Sequence, residues 1–308
     1  MKFFNTTIKD RTLSRFESRA FAVVNSLVMV LIIVCTLYPF WNTIVVSLNQ
    51  ATDTLRGGLT FWPRKFSLQN YKIVFATGTI YNAFFISVSR TIINTVVNVF
   101  FTSMVAFALS RREFVLRKPF TMILILSMYV NAGLIPNYFL MRSLHLTNSF
   151  LVYVVPGIIN AFNFVVIRTY MRTMPESIIE SARIDGCGDF WIFTRIILPL
   201  CLPVLATIAL FVAVESWNAW FDTLIYNSGE PLLHTLQYKL MEYIQSSQSQ
   251  AKSSGDVASM SMQSTQGMVT PVSIRAAVTV IAALPIMIVY PFMQRYFVVG
   301  LNVGSVKE

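Results

Sequence analysis

Six stretches of this chain run for twenty residues or more with few or no charged side chains: 21–48, 81–109, 119–140, 150–170, 200–226 and 273–295. A helix rising 1.5 Å per residue crosses a hydrocarbon core of about 30 Å in roughly 20 residues. Helices are required, because an open chain in lipid must satisfy its own backbone hydrogen bonds. The pattern therefore predicts an all-α integral membrane protein with six transmembrane helices. Residues 1–20 form a short N-terminal segment, and 21–308 form one transmembrane domain. The first stretch follows a basic prelude of Lys2, Lys9, Arg11, Arg15 and Arg19, as a secretory signal peptide would. Its apolar run is too long for that role and no small-x-small cleavage pattern follows, so a retained span is expected.

Composition agrees. Hydrophobic residues make up 55% of the chain, charged residues only 12%, and mean hydropathy is +0.61, whereas soluble domains carry about 25% charge. Basic residues then orient the spans, because short basic loops stay on the inner side. With the N-terminus inside, 15 Lys and Arg fall in inner segments and 7 in outer ones. Both termini are expected in the cytoplasm. This topology also accounts for the net charge of +10. No aromatic-basic platform accompanies it, so nucleic acid is not an expected partner; lipid is.

Cys35, Cys187 and Cys201 lie in or beside inner segments, where no disulfide is expected. His145 and His234 stand apart from other ligand types in outer loops, so they are read as solvated and no metal site is expected. No G-x4-G-K-[ST] sequence occurs, so the chain cannot cradle nucleotide phosphates that way and binds no cofactor of its own. No catalytic residues and no enzymatic activity are predicted.

The loop 171–198 is the exception to plain connectivity. Pro175 and Glu176 start a helix well, since proline suits the first turn and an acid meets the positive end of the dipole. Ile178, Ile179, Ala182 and Ile184 give that helix apolar positions. Ser181 and Ala182 are small enough for close approach, and Gly186 permits a sharp turn. A second helix over 190–197 would meet Pro199 and return to the membrane. The result is a helix-turn-helix elbow on the inner surface; an amphipathic connector without a partner would share this composition.

Glu180-Ser181-Ala182-Arg183-Ile184-Asp185-Gly186 followed by Ile196, Leu198 and Pro199 resembles the E-A-A-x3-G-x9-I-x-L-P coupling motif of ABC importer permeases. Ser181 in place of Ala is the one departure. The resemblance covers nearly the whole chain. Tyr38-Pro39-Phe40-Trp41 with Ser47, Asn70-Tyr71, 216–221 and 290–297 are similar to the carbohydrate-uptake branch, which includes the second permease of the maltose importer and oligosaccharide importers. The resemblance implies the type I importer architecture with a cytoplasmic coupling helix. It implies a multi-pass subunit of a prokaryotic cytoplasmic membrane, working with two ATPase subunits that bind ATP and Mg, a second homologous permease and an external solute-binding protein. Glu180, Ser181, Ala182, Asp185, Gly186 and Pro199 are the implied ATPase-coupling residues. Within the tail 296–308, Gly304, Ser305, Val306 and Lys307 are the implied tail contact.

Asn94, Asn98, Asn163, Glu215, Trp217, Asn218 and Trp220 are polar or amphipathic groups at membrane depth and candidates for a sugar pathway, with Arg90, Asn160 and Asp222 nearby. Amides bond hydroxyls and ring faces cover sugar faces. The same residue types also hold helices together and mark the interface belt. The outer segment 227–272, rich in Ser, Gln and Met, reads as a flexible loop, either a contact for the binding protein or a plain connector. Three other functions remain in view: an ion-coupled transporter using Arg90, Glu215 or Asp222, a membrane-embedded scaffold or receptor subunit that moves nothing, and an ABC importer for a solute other than sugar.

Overall fold

The computed structural model describes residues 3–58, 61–76, 78–253 and 270–303, with side chains described over 21–58, 61–76, 78–245 and 270–291. These residues are helical, joined by turns, with one isolated bridge between Asn49 and Phe66. Contacts divide the chain into two compact units, 1–72 with 260–280 and 73–259 with 281–308.

In the first unit, α1 (Phe3–Ser47) is apolar and exposed throughout 21–40, as a lipid-facing helix must be. The residues that follow are tied by side chains. Trp41 Nε1 donates to the Phe61 carbonyl at 2.8 Å, and Trp41 meets Trp62 edge to face. From α3 (Gln69–Ala76) the buried Asn70 amide donates to the carbonyls of Ser47 and Asn49, while Ser47 Oγ pairs with Tyr71 Oη at 2.8 Å. Four of the residues that carry the carbohydrate-branch resemblance, Trp41, Ser47, Asn70 and Tyr71, are thus structural ties. A short α2 (Ala51–Thr54) holds Asp53, whose carboxylate accepts from Asn49 Nδ2 at 3.1 Å and Arg64 Nε at 3.0 Å.

The bond from Asn49 and the neighbouring Arg64 and Arg56 hold the Asp53 carboxyl below its usual range. A depressed pKa contributes stability above the unfolded value, which is lost as pH falls through the folded one. Amide exchange over 48–66, corrected for the intrinsic rate, is therefore expected to quicken below about pH 4. In Asp53→Asn that acid-dependent step should vanish; its persistence would place the sensitive group elsewhere.

The second unit is built on α4 (Thr79–Ser110), which packs against α7 (Ala161–Met171) and α11 (Leu202–Asn218). Its buried side mixes polar residues with apolar ones such as Ile80 and Phe107, and its exposed side is largely apolar. Ser87, Arg90, Asn98, Thr102, Ser103 and Ala106 are buried, whereas Tyr81, Phe85, Ile92 and Val96 face outward. In lipid the apolar face needs no cover, and small or hydrogen-bonding residues draw helices together. Arg90 and the polar residues here and around Asp222 form one seam.

Among the described residues three helical stretches are long and apolar enough to cross a membrane: Phe21–Ser47, Thr79–Ser110 and Pro271–Pro291 of α14 (Pro271–Val303). Two bent pairs bring the number to five if each is one span. Phe150–Gly157, in 3-10 turns, meets α7 at 47°, and Asp189–Leu200 meets α11 at 83°. The stretch 119–140, expected to be continuous, is instead α5 (Arg117–Ser127) and α6 (Leu134–Ser143). Asn131 and Gly133 explain the interruption: Asn131 Oδ1 accepts from the Gly133 N–H at 2.9 Å, and Gly133 adopts φ +86°, so turn chemistry displaces helix. The stretch 200–226 likewise stops at Asn218 and resumes as α12 (Phe221–Tyr226).

The segment expected as a flexible loop contains α13 (Leu236–Ser253), preceded by a 3-10 turn Pro231–Leu233; residues 254–269 lie outside the described residues. His234, expected to be solvated, is buried, donating from Nε2 to the Ser228 carbonyl at 3.2 Å and packing its ring on Tyr238. The turn Pro231–Leu233 carries it inward, which a count of loop polarity cannot anticipate. His145 is exposed.

Candidate functional site

The loop after α7 forms α8 (Glu176–Ile184), bounded by Pro175 with Glu176 in the first turn and Arg183 in the last, each matched to the helix dipole. Only Ile179 and Ala182 are buried; Glu180, Ser181, Asp185 and Gly186 are exposed, and Ile184 is 86% exposed. The outward face is therefore polar with one large apolar side chain at its end. Ala182 is turned inward, where its small size serves packing within this chain against the cluster of Ile167, Met171 and Ile192.

α8 ends in a Schellman turn. The Gly186 N–H bonds the Arg183 carbonyl at 2.9 Å and the Cys187 N–H bonds that of Ala182 at 3.0 Å, with Gly186 at φ +84°. α9 (Asp189–Ile192) then passes into a π-helical turn Phe193–Ile197 and α10 (Leu198–Leu200) before the bend at Cys201. Ile192, Phe193 and Ile197 are buried, and the Phe193 ring lies 5.6 Å from that of Phe107 on α4. The second limb is thus seated on the core, and Pro199 and Pro203 stand in the first turns of α10 and α11 on either side of the bend. Pro199 is exposed and borders a groove with Val99, Leu202 and Ala206.

Both ends of α8 are braced by a single turn, 112–113, within the basic segment that follows α4. Arg112 Nε lies 2.9 Å from Glu176 Oε1, and Arg183 Nη1 reaches both Glu113 oxygens, at 2.5 and 2.6 Å. Arg183 also binds Asp189 Oδ1 at 3.0 Å, bridging the two limbs of the elbow. These carboxylates raise the Arg183 pKa further above its ordinary value, so its charge is permanent. Burial lowers that of Arg111, which stacks on Phe107 with its guanidinium carbon 5.1 Å from the ring centre. A signal for Glu113 was present: it is the lone acid in a short segment with four bases, 111–118.

The membrane-depth amides are engaged within the chain. Asn98 Nδ2 donates to the Gly157 carbonyl at 2.5 Å and Asn98 Oδ1 accepts from Asn163 at 3.3 Å, while Thr102 reaches the Ile158 carbonyl. They satisfy backbone freed at the 47° break. Asn94 Nδ2 donates to Ser216 Oγ at 2.7 Å, Asn218 to the Val214 carbonyl, and Trp217 Nε1 to the Ala282 carbonyl. Asn160 caps α7. Arg90 and Asp222 form a bidentate pair, with Arg90 4.5 Å above the Tyr153 ring. Glu215 and Asn218 are exposed and Trp220 is half-buried. The proposed tail contact Gly304 to Lys307 lies outside the described residues. Among the described residues no cluster of His, Cys, Asp and Glu could hold a metal.

Residues 98–302 match the family model described as binding-protein-dependent transport system inner membrane component. The polygalacturonan/rhamnogalacturonan transport system permease protein YtcP of Bacillus subtilis (strain 168) is 35% identical over 275 residues, covering 89% of this chain and 93% of that protein. Protein LplC of the same strain is 36% identical over 289 residues, covering 94% and 95%. Its arabinooligosaccharides transport system permease protein AraQ is 30% identical over 276 residues, covering 88% and 90%. A chain from the crystal structure of a bacterial ABC transporter involved in the import of the acidic polysaccharide alginate superimposes with TM-score 0.81 at 26% identity, over 91% of this chain and 98% of that one.

Proposed function

Since the chain belongs to the family of inner-membrane components of binding-protein-dependent transport systems, as a permease subunit of an oligosaccharide ABC importer, we propose that its α8 elbow is the coupling element docked by an ATPase. The observation that carries this reading is the elbow itself: a polar face of Glu180, Ser181 and Asp185 with exposed Ile184, held rigid by Glu113 and Arg112. An apolar side chain exposed at the tip of a polar helix suits a cleft in a partner. Glu180, Ser181, Asp185 and Gly186 would meet the ATPase, and Pro199 would pass its motion toward α11.

The membrane component needs a solute-binding protein and an ATPase. We assign it two ATPase subunits, which bind ATP and Mg, and a second, homologous permease. The Lys and Arg bias supports both termini and the elbow in the cytoplasm of a cytoplasmic membrane. For six spans, α5 with α6 supplies the remaining crossing beside the three continuous helices and two bent pairs. Glu215, Asn218 and Trp220 are the pathway candidates with exposed surface, whereas Asn94, Asn98, Asn163 and Trp217 serve helix contacts. An ion-coupled mechanism would lose two of its three candidate groups, because Arg90 and Asp222 neutralise each other.

The test is purification from native membranes, identification of every partner, and reconstitution in vesicles with ATP inside and the binding protein outside. Uptake of oligosaccharide is expected only with both ATP and binding protein. Uptake driven by an ion gradient without ATP would overturn the reading. A panel of acidic galacturonides and neutral arabino-oligosaccharides would identify the cargo.

A further inference from the structure

Five basic side chains converge on one cavity beside the elbow. Arg112, Arg117, Lys118, Arg168 and Arg172, with Ser110, line a space of about 470 Å³ where the end of α4, the start of α5 and the end of α7 meet. Among the described residues Arg112 alone of the five has a carboxylate at ion-pair distance, Glu176; the other four have none. Arg168 is oriented by a bond from Nε to the Leu109 carbonyl at 3.0 Å, which leaves its two terminal nitrogens for a ligand. Topology asks only that basic residues lie on one side of a membrane; it does not ask that five from three segments surround one cavity.

We infer that this cavity binds the phosphate headgroup of an anionic membrane lipid. Charge complementarity calls for an anion, and the surroundings select its carrier. Val115, Leu116, Phe120 and Ile123 lie beside the basic residues in sequence and are exposed, Val115 by 89%. An anion flanked by apolar surface at the level where helices leave the membrane is a lipid, whose acyl chains cover what a free phosphate would leave bare. The occupied cavity also bears on the elbow: Arg112 belongs both to its wall and to the pair with Glu176 of α8. The headgroup then steadies the turn that braces the elbow. This inference rests on the cavity and is independent of which sugar is carried.

The complex purified through this chain in mild detergent would be analysed by native mass spectrometry, before and after incubation with vesicles of phosphatidylglycerol or of phosphatidylcholine. Retention of phosphatidylglycerol by the wild type, with affinity lower by about 100-fold when Arg117→Gln, Lys118→Gln and Arg172→Gln are combined, is the expected result at roughly a factor of five per basic residue. Phosphatidylcholine and millimolar inorganic phosphate should not displace it. Displacement by inorganic phosphate would overturn the lipid in favour of a free anion. Equal retention by wild type and variant would overturn the site, and so would loss of the ATPase with lipid binding unchanged, which would mark a protein contact. Should the triple variant fail to assemble, exposed Arg172→Gln alone is expected to lower the affinity about fivefold, and no change would count against the site.

Discussion

Removing the Asp222 carboxylate is expected to cost about 3–5 kcal/mol of stability, the range for leaving one member of a buried ion pair unpaired. The Arg90 side chain is 5% exposed, and Asp222 takes two of its nitrogens while the Ala219 carbonyl takes a further bond at 3.1 Å. The seam extends to Tyr153, whose hydroxyl donates to the Leu233 carbonyl at 2.7 Å. In Asp222→Ala the guanidinium retains that one carbonyl and the ring face, at membrane depth. Thermal unfolding in detergent should shift strongly, with Asp222→Asn intermediate because it restores a hydrogen bond without the charge. Arg90→Met combined with Asp222→Leu should recover most of the loss, since an apolar pair of similar volume can replace a buried ion pair. If Asp222→Ala melts like the wild type, the pair does not hold α4 to the segment after α11.

The second large effect is expected at Gly186, and it falls on coupling. A Cβ there would meet nothing within 4 Å, so crowding inside the chain is not the issue; the φ of +84° is. Left-handed backbone costs an ordinary L residue about 1–2 kcal/mol and a β-branched one more, whereas Asn tolerates it. Gly186→Val should therefore open the Schellman turn and separate α8 from the seated second limb. ATP-driven uptake is expected to fall by about tenfold or more, since 1.4 kcal/mol is a factor of ten. Gly186→Asn should keep most of the activity. Equal damage by Asn and Val would mean that a partner is pressed against this position; indifference to both would remove the elbow from the coupling path.

How legible the molecule was depended on whether a feature is local. The long helices followed from apolar length alone, and the turn at Gly186 from a glycine after a short amphipathic run. The break at Pro156 and Gly157 did not, because it is tolerated in apolar sequence only where freed carbonyls find donors, and those donors, Asn98 and Thr102, lie on another helix. Asn98 and Asn163, candidates in the sequence for a sugar pathway or for holding helices together, make contacts of the second kind. Ala182 shows the same limit: a small residue announces close approach without saying to what, and here it faces Ile179's own core. Glu113 was passed over because a topology count ignores acids, yet it is the residue that fixes Arg183. The folding of 236–253 into helix and the burial of His234 depend on contacts far along the chain, such as the Leu236 N–H bonded to Ser87 Oγ at 2.8 Å.

The bend of 83° between the elbow's second limb and α11 changes the direction in which force can travel. Two rods joined end to end in line transmit a push as a piston stroke. Joined near a right angle, with Pro199 and Pro203 stiffening either side of Cys201, they convert the same push into a sideways swing. A displacement of the elbow along its own length would thus tilt α11 and alter the width of whatever passage it borders, while leaving its depth in the bilayer almost unchanged. Glu215, Asn218 and the aromatic residues after it, at the far end of that helix, would sweep the widest arc.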